Sequence, residues 1–249
     1  SPEGTLTRVS LVQNPRLSFW KNTKAVTKKA ILLIPGGGYG FVSVHNEGHQ
    51  MAEALLEHSY DVYSLIYRLP SDDCQTEKKW VPLTDAMRAL QIIWERGYDQ
   101  VFVIGFSAGG HLAASLATLS EKNPHFKSMR QANAYCLVYP VVGLQQHPHT
   151  GTHTKLLGNN PDTEASRFFS LETQVSSSTP PSVLIHAVVD KGVLWQNSDM
   201  YFKACVEKGI KSALHLFPSG GHGFGAGRIK KRDAPDWIPL AIDFFQSVK

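Results

Sequence analysis

Strand-like and helix-like apolar patterns alternate along most of this chain. Ala30–Ile34, Val62–Tyr67, Val101–Phe106, Ala134–Tyr139, Ser182–His186 and Ala213–Phe217 are short apolar runs, most of them bounded by turn residues. Runs of this length, rich in β-branched and aromatic residues, predict strands buried on both faces. Between them the apolar period changes. Met51, Ala52, Leu55 and Leu56 share one helical face, as do Leu83, Ala86, Leu90 and Ile93 behind Pro82. Leu112, Ala113, Leu116 and Ala117 repeat the pattern, and Ala241, Phe244, Phe245 and Val248 predict a C-terminal helix. Gly97 and Gly209 are the expected stops of the second helix and of a helix over Ser198–Lys208. Strand and helix alternate from Ala30 onward, which predicts a single α/β domain with a mostly parallel sheet and helices on both faces. Two segments depart from the alternation. Leu6 to Val12 alternates in part and is expected to form an outer strand. Gly143 to Pro181 is rich in Pro, Gly, Asn, Ser and Thr and is expected to be a partly helical excursion above the sheet. Asp72 to Lys79 is polar and reads as a loop.

Composition narrows the class. The 249 residues are 42% hydrophobic and 18% charged, enough chain and apolar content for one large globular core. A net charge of +4 is small for this length. The basic cluster Arg228-Ile229-Lys230-Lys231-Arg232 is interrupted by Ile229 and followed by Asp233, so it reads as a solvated loop and no nucleic-acid partner is expected. No apolar run approaches the roughly 18 residues of a membrane span, and no signal-peptide pattern opens the chain. Cys74, Cys136 and Cys205 are too scattered for a disulfide framework or a zinc knuckle. A reducing compartment, the cytoplasm, is the expected setting. No pattern in the chain points to an oligomeric state.

The strand at Val101 runs into Gly105-Phe106-Ser107-Ala108-Gly109 and then into the helix that carries Leu112. This matches G-x-S-x-G in the strand–turn–helix context that the motif requires. A serine at the apex of so sharp a turn is held in a strained conformation with its hydroxyl presented outward. The chain passes close to itself on either side, so Gly105 and Gly109 carry no Cβ to collide. The following helix aims its unpaired N–H groups and positive dipole end at the serine.

In a parallel α/β sheet, ligands gather at the carboxyl ends of the strands. Four features fall there: Ser107, the Gly36-Gly37-Gly38 loop after Ile34, Asp190 after His186, and His222 after Phe217. A serine hydroxyl at its ordinary pKa needs a base within hydrogen-bond reach. Histidine titrates near neutrality, and a carboxylate on its second nitrogen fixes the tautomer. A tetrahedral intermediate needs fixed N–H donors, which Ala108, Gly37 and Gly38 are placed to offer. The glycine loop lacks the Lys-Ser/Thr of a P-loop and the spacing of G-x-G-x-x-G, which argues against a phosphate cradle. His147, His149 and His153 lie in a Pro/Thr/Gly loop without a carboxylate or cysteine, so no metal is expected, and no cofactor either. Tyr39, His111 and Trp195 are expected near the pocket, from their closeness in sequence to the glycine loop, the Ser107 turn and the Asp190 loop.

Pro35-Gly-Gly-Gly-Tyr39, Tyr67-Arg68, Pro82-Leu83 with Asp85 and Arg88, Gly105-Phe-Ser-Ala-Gly-Gly-His111, Leu156-Leu157-Gly158, Pro180-Pro181 and Gly220-Gly-His-Gly-Phe224 together resemble the small esterase branch of the α/β-hydrolase superfamily. That branch includes acetyl-xylan esterases, feruloyl-esterase-like proteins and "sugar hydrolases". The resemblance spans the chain from about Ala30 and implies the α/β-hydrolase fold. It also implies nucleophile Ser107, acid Asp190, base His222 and oxyanion donors Gly37, Gly38 and Ala108. One departure stands out: the branch often has two adjacent acids where this chain has Val189-Asp190. The implied activity is serine ester hydrolysis of a small-molecule acyl ester such as an acetylated sugar. Two other readings stay open. One is a serine peptidase, whose relatives usually carry a large extra domain for which this chain has no room. The other is a non-catalytic binding protein on the same fold, although such proteins typically lose a triad member.

Overall fold

The computed structural model describes residues 8–71, 77–126, 129–159, 163–226 and 235–248. Cys74 and the basic cluster at 228–232 lie outside the described residues. The strands are β1 (Arg16–Trp20), β2 (Lys29–Ile34), β3 (Asp61–Ile66), β4 (Gln100–Phe106), β5 (Ala134–Val138), β6 (Ser182–Ala187) and β7 (Ser212–Phe217). They form one sheet in the order β1-β3-β2-β4-β5-β6-β7. Every pairing is parallel except that of β1 with β3. The helices are α1 (Gln50–Leu55), α2 (Val81–Glu95), α3 (Ala108–Leu119), α4 (Thr150–Leu157), α5 (Thr163–Phe168), α6 (Gln196–Glu207) and α7 (Ile238–Gln246). Among the described residues, no helix is long and apolar enough to cross a membrane.

The strand pattern divides the core in two. Along β2 and β4, Ala30, Leu32, Ile34, Val101 and Val103 face one layer with Leu83, Leu90, Leu112, Leu116 and Tyr201 from α2, α3 and α6. Ile31, Leu33, Phe102, Ile104 and Phe106 face the other, with Met51 and Leu55 of α1 and Ala241 and Phe245 of α7. This is the period-two alternation of a strand buried on both sides. Phe102 stacks on Phe245 with ring centroids 4.4 Å apart.

The outer strand is not where the pattern put it. Within Leu6–Val12, Val9 makes only an isolated antiparallel bridge to Val42, and Leu6 and Thr7 lie outside the described residues. Leu11 has φ +53 and is 89% exposed, which ends any extended run there. The edge is β1 instead, whose half-buried residues alternate too weakly to announce a strand. Phe19 of β1 stacks on Tyr63 across the pairing, at 4.7 Å. The 143–181 segment carries α4, α5 and a short turn over Leu171–Gln174.

Register decides what the loops can do. Ile34 pairs with Gly105, and Phe106 with Val138, so the glycine loop, the Ser107 turn and the segment after β5 leave adjacent strands at one end. Ala187 pairs with Phe217, so the loops bearing Asp190 and His222 also leave side by side.

Candidate active site

Ser107 sits in the turn between β4 and α3 with φ +51 and ψ −119. The surrounding backbone holds it there. Its N–H donates to Val138 O at 3.1 Å, and its carbonyl accepts from His111 and Val141, each at 3.1 Å. The flanking glycines are required by close packing. A Cβ on Gly105 would lie 2.5 Å from Ala113 Cβ and from Gly109 O, and one on Gly109 would lie 2.1 Å from Ile34 O.

The Ser107 Oγ lies 2.9 Å from His222 Nε2. On the far side of the ring, His222 Nδ1 lies 2.7 Å from Asp190 Oδ2. A carboxylate only accepts, so Nδ1 carries the proton and Nε2 is left to accept from the Ser107 hydroxyl. Asp190 is fixed in turn: its Oδ1 accepts the N–H groups of Gly192 at 2.8 Å and Val193 at 3.0 Å. Its Oδ2 also faces His186 Nε2 at 3.4 Å. Burial pushes the Asp190 carboxyl up, but the hydrogen bonds from His186 and His222 and the Val193 N–H outweigh it and hold the group well below the usual carboxylate range. The carboxyl therefore stays ionised at neutral pH. Gly192 allows this approach, since a Cβ there would lie 3.0 Å from His222 Cγ.

A cavity of about 600 Å³ opens over the serine, lined in part by Gly37, Gly38, Phe41, Glu47, His149 and His222. Gly37 (φ +131) and Gly38 (φ +61) form a tight turn in which Gly40 and Phe41 both donate to Gly37 O. No side chain could occupy Gly37, because its Cβ would lie 2.0 Å from Phe41 O. The N–H groups of Gly37 and Gly38 donate to no acceptor among the described residues. That of Ala108 opens α3, beyond the reach of any intrahelical carbonyl. The site thus places an imidazole-bonded hydroxyl beside spare backbone donors. Such a hydroxyl can attack a carbonyl while its proton passes to the ring.

Three residues expected near the pocket do not line its wall. Tyr39 and His111 are buried beneath the glycine loop and do not line the cavity. Tyr39, at φ +59, turns its ring inward, and its hydroxyl meets His111 Nδ1 at 3.0 Å. His111 Nε2 lies 2.9 Å from Phe169 O. The carbonyl accepts, so Nε2–H donates to it and Nδ1 accepts from the tyrosine. Burial lowers the His111 pKa to about 4, so the ring is neutral. The pair ties the glycine loop to α3. Trp195 opens α6, its carbonyl accepting the Ser198 and Asp199 N–H groups, and it too is absent from the cavity wall.

Other residues enter that the motifs did not mark. His186 is fully buried, bridging Asp190 and Ser198 Oγ, the latter at 2.8 Å. His149 accepts the Thr152 N–H at the start of α4 and reaches the cavity opposite Gly38. His153 pairs with Ser166 Oγ at 3.1 Å, and no metal-holding cluster forms among the described residues. Glu47 reaches the cavity wall from the wide helical turn at His45–His49. A signal for it existed: it lies four residues before Met51, and Met51 is on the buried face of α1. Tyr67 donates to Pro35 O at 3.0 Å, and Arg68 meets Asp85 with two side-chain nitrogens, so these motif pieces brace the glycine loop and α2.

Comparison with known proteins fits this geometry. The chain is 31% identical to an acetylxylan esterase of Xylanibacter ruminicola, over 84% of this chain and 45% of that protein. It is also 31% identical to endo-1,4-beta-xylanase B of Butyrivibrio fibrisolvens, over 84% of this chain and 34% of that protein. The chain therefore spans less than half the length of either relative. Among solved structures, an acetyl ester-xyloside bifunctional hydrolase from Caldicellulosiruptor lactoaceticus superposes with a TM-score of 0.82 at 28% identity, over 96% of this chain and 95% of that one. Residues 71–248 match the sequence model of the prolyl oligopeptidase family. With that match covering most of the chain, and with the sheet shared almost end to end with a solved hydrolase, the chain belongs to the prolyl oligopeptidase family and has the α/β-hydrolase fold.

Proposed function

We propose that this chain is a serine carboxylic-ester hydrolase that works through an acyl-enzyme on small acyl esters, acetylated sugars among them. One observation carries the reading. Ser107, His222 and Asp190 form an unbroken hydrogen-bonded chain, at 2.9 and 2.7 Å, beside backbone N–H groups of Gly37 and Gly38 that meet no acceptor among the described residues.

The reaction follows from that arrangement. The Ser107 Oγ attacks the ester carbonyl carbon as its proton moves to His222 Nε2, and Asp190 stabilises the imidazolium formed. The carbonyl oxygen becomes an alkoxide and takes N–H donors from Ala108 and the Gly37–Gly38 loop. Collapse breaks the bond to the alcohol oxygen, which leaves with the Nε2 proton. A water then gives its proton to Nε2 and attacks the acyl-serine. Collapse of that intermediate releases the acid and restores the Ser107 hydroxyl.

The acetylxylan esterase and acetyl ester-xyloside hydrolase relatives support a sugar ester. So does a cavity whose wall includes Arg8, Ser43, His45, Asn46 and His149, side chains suited to a polyhydroxylated alcohol. Hydrolysis of p-nitrophenyl acetate and of an acetylated xylo-oligosaccharide, by wild type and Ser107→Ala, is the test. Loss of turnover and of fluorophosphonate labelling in the variant is expected; equal rates sink the proposal. The family match brings the peptidase reading back, so a panel of peptide anilides belongs beside the esters, and faster peptide cleavage would transfer the assignment.

A further inference from the structure

Glu47 is a carboxylate that this reaction scheme does not use. It lines the cavity with Ser107 and His222 and is 4% exposed. Burying a carboxylate is costly unless donors meet it. Two do so here. Oε2 accepts the Gly36 N–H at 2.7 Å, and Oε1 accepts the Tyr139 hydroxyl at 2.8 Å. The Tyr139 oxygen itself accepts the Gly225 N–H at 3.1 Å, so its single proton is committed to Glu47.

Both ends of this network lead into the site. Gly36 directly precedes Gly37 and Gly38, and a Cβ there would lie 2.9 Å from Ser107 Cβ and 3.1 Å from Glu47 Oε2. Gly36 therefore abuts both the serine and the carboxylate. At the other end, Gly225 closes the loop that carries His222, and the Tyr139 ring packs edge-on against the imidazole with centroids 5.0 Å apart. Tyr139 has φ +39, a conformation that a tyrosine adopts only under constraint. The neighbouring Asn46 adds a second tie to the same loop, donating to Gly223 O at 3.1 Å.

We propose that Glu47 is a positioning residue: it clamps the oxyanion loop to the histidine loop, and its charge stabilises the imidazolium formed in each proton transfer. The proposal rests on the hydrolase reading above. Both hydrogen bonds are accepted by the carboxylate oxygens, as an ionised group would accept them. Burial raises the Glu47 carboxyl above its ordinary value, and the Gly36 N–H, the Tyr139 hydroxyl and the attraction of His222 offset that rise only in part. Among the described residues, Ser107, Asp190, Tyr139, Glu47 and, across the cavity, His149 face His222. Asp190 and Glu47 are the carboxylates among them.

A carboxylate that only fills space would alter stability and leave kinetics alone. The test is steady-state hydrolysis of p-nitrophenyl acetate from about pH 5 to about pH 9 by wild type, Ser107→Ala, Glu47→Gln and Tyr139→Phe, with thermal unfolding of each. Glu47→Gln keeps the shape and removes the charge. Its kcat is expected to fall roughly tenfold or more with KM held within about twofold, because the defect lies in transition-state alignment and not in binding. The acid limb of its kcat/KM profile is expected to move to lower pH, since a negative charge facing the imidazole is gone. Tyr139→Phe retains the Glu47 side chain and cuts the link, so kcat is expected to fall. Activity that Ser107→Ala abolishes and Glu47→Gln leaves intact, with an unmoved limb, overturns the clamp alone. If Glu47→Gln does not fold, Tyr139→Phe decides, and an unchanged kcat there overturns the proposal. Wild-type activity that Ser107→Ala does not reduce removes the hydrolase reading and the clamp with it.

Discussion

Asp190→Asn perturbs the hydrogen-bond chain at the point where the structure leaves the new side chain no choice of orientation. The Gly192 and Val193 N–H groups both point at Oδ1, so the amide oxygen must stay there. Its NH2 group is then forced to the Oδ2 position, facing His222 Nδ1 at 2.7 Å. A donor there selects the tautomer with the proton on Nε2, which cannot receive the Ser107 proton. Reaching the productive tautomer sets donor against donor and forfeits a charge-assisted hydrogen bond, about 1.5–3 kcal/mol. The imidazolium also loses its counter-charge, worth about 4 kcal/mol at a separation of about 4 Å and an effective dielectric of about 20. Together these cost about 5 kcal/mol or more, a fall in kcat of roughly 10⁴-fold. The fold should survive, because the Oδ1 acceptor is preserved. Rates with p-nitrophenyl acetate, alongside thermal unfolding, check both halves. A folded variant within about tenfold of wild type would refute the tautomer argument.

Three further outcomes are expected. Because Asp190 stays ionised in the folded protein below its ordinary value of 3.8, the unfolded chain takes up a proton there first as pH falls. Its stabilisation is complete above the unfolded pKa and is lost as pH falls toward the folded one, so unfolding titrations between about pH 3 and pH 7 should show a shallower acid decline in Asp190→Asn than in wild type. Tyr39→Phe leaves the buried His111 Nδ1 without a donor and should cost about 1–3 kcal/mol in denaturant unfolding, with a drop in kcat as the Gly37–Gly38 turn loosens; an unchanged midpoint and rate would contradict the tie. Gly109→Ala drives a Cβ to within 2.1 Å of Ile34 O and 2.4 Å of Pro35 O, backbone that cannot give way, so a loss of about 1–3 kcal/mol or more is expected by thermal unfolding.

Local features of the chain were the legible ones. β4 and α3 flank Ser107 as the apolar runs indicate, because a buried strand and an amphipathic helix are both encoded by their own residues. The glycines at 105 and 109 were readable for the same reason, since the constraint they answer lies within the turn. β1 was missed because an edge strand with half-buried residues carries little periodicity, and its place depends on Tyr63 and its neighbours in β3. Tyr39 and His111 lie next to the site in sequence and beneath it in space, which adjacency along the chain cannot distinguish.

Taken alone, the sequence determined the alternation of strands and helices and placed a serine, an aspartate and a histidine each just past the end of a strand. Which of those ends would meet was settled by the tertiary structure, through the pairings of Ile34 with Gly105 and of Ala187 with Phe217. The same holds for Glu47, Tyr139 and His186, whose partners lie 11, 92 and 12 residues away. A buried polar group declares its role only once its donors are in place, because the cost of burial is met by contacts that no local pattern encodes.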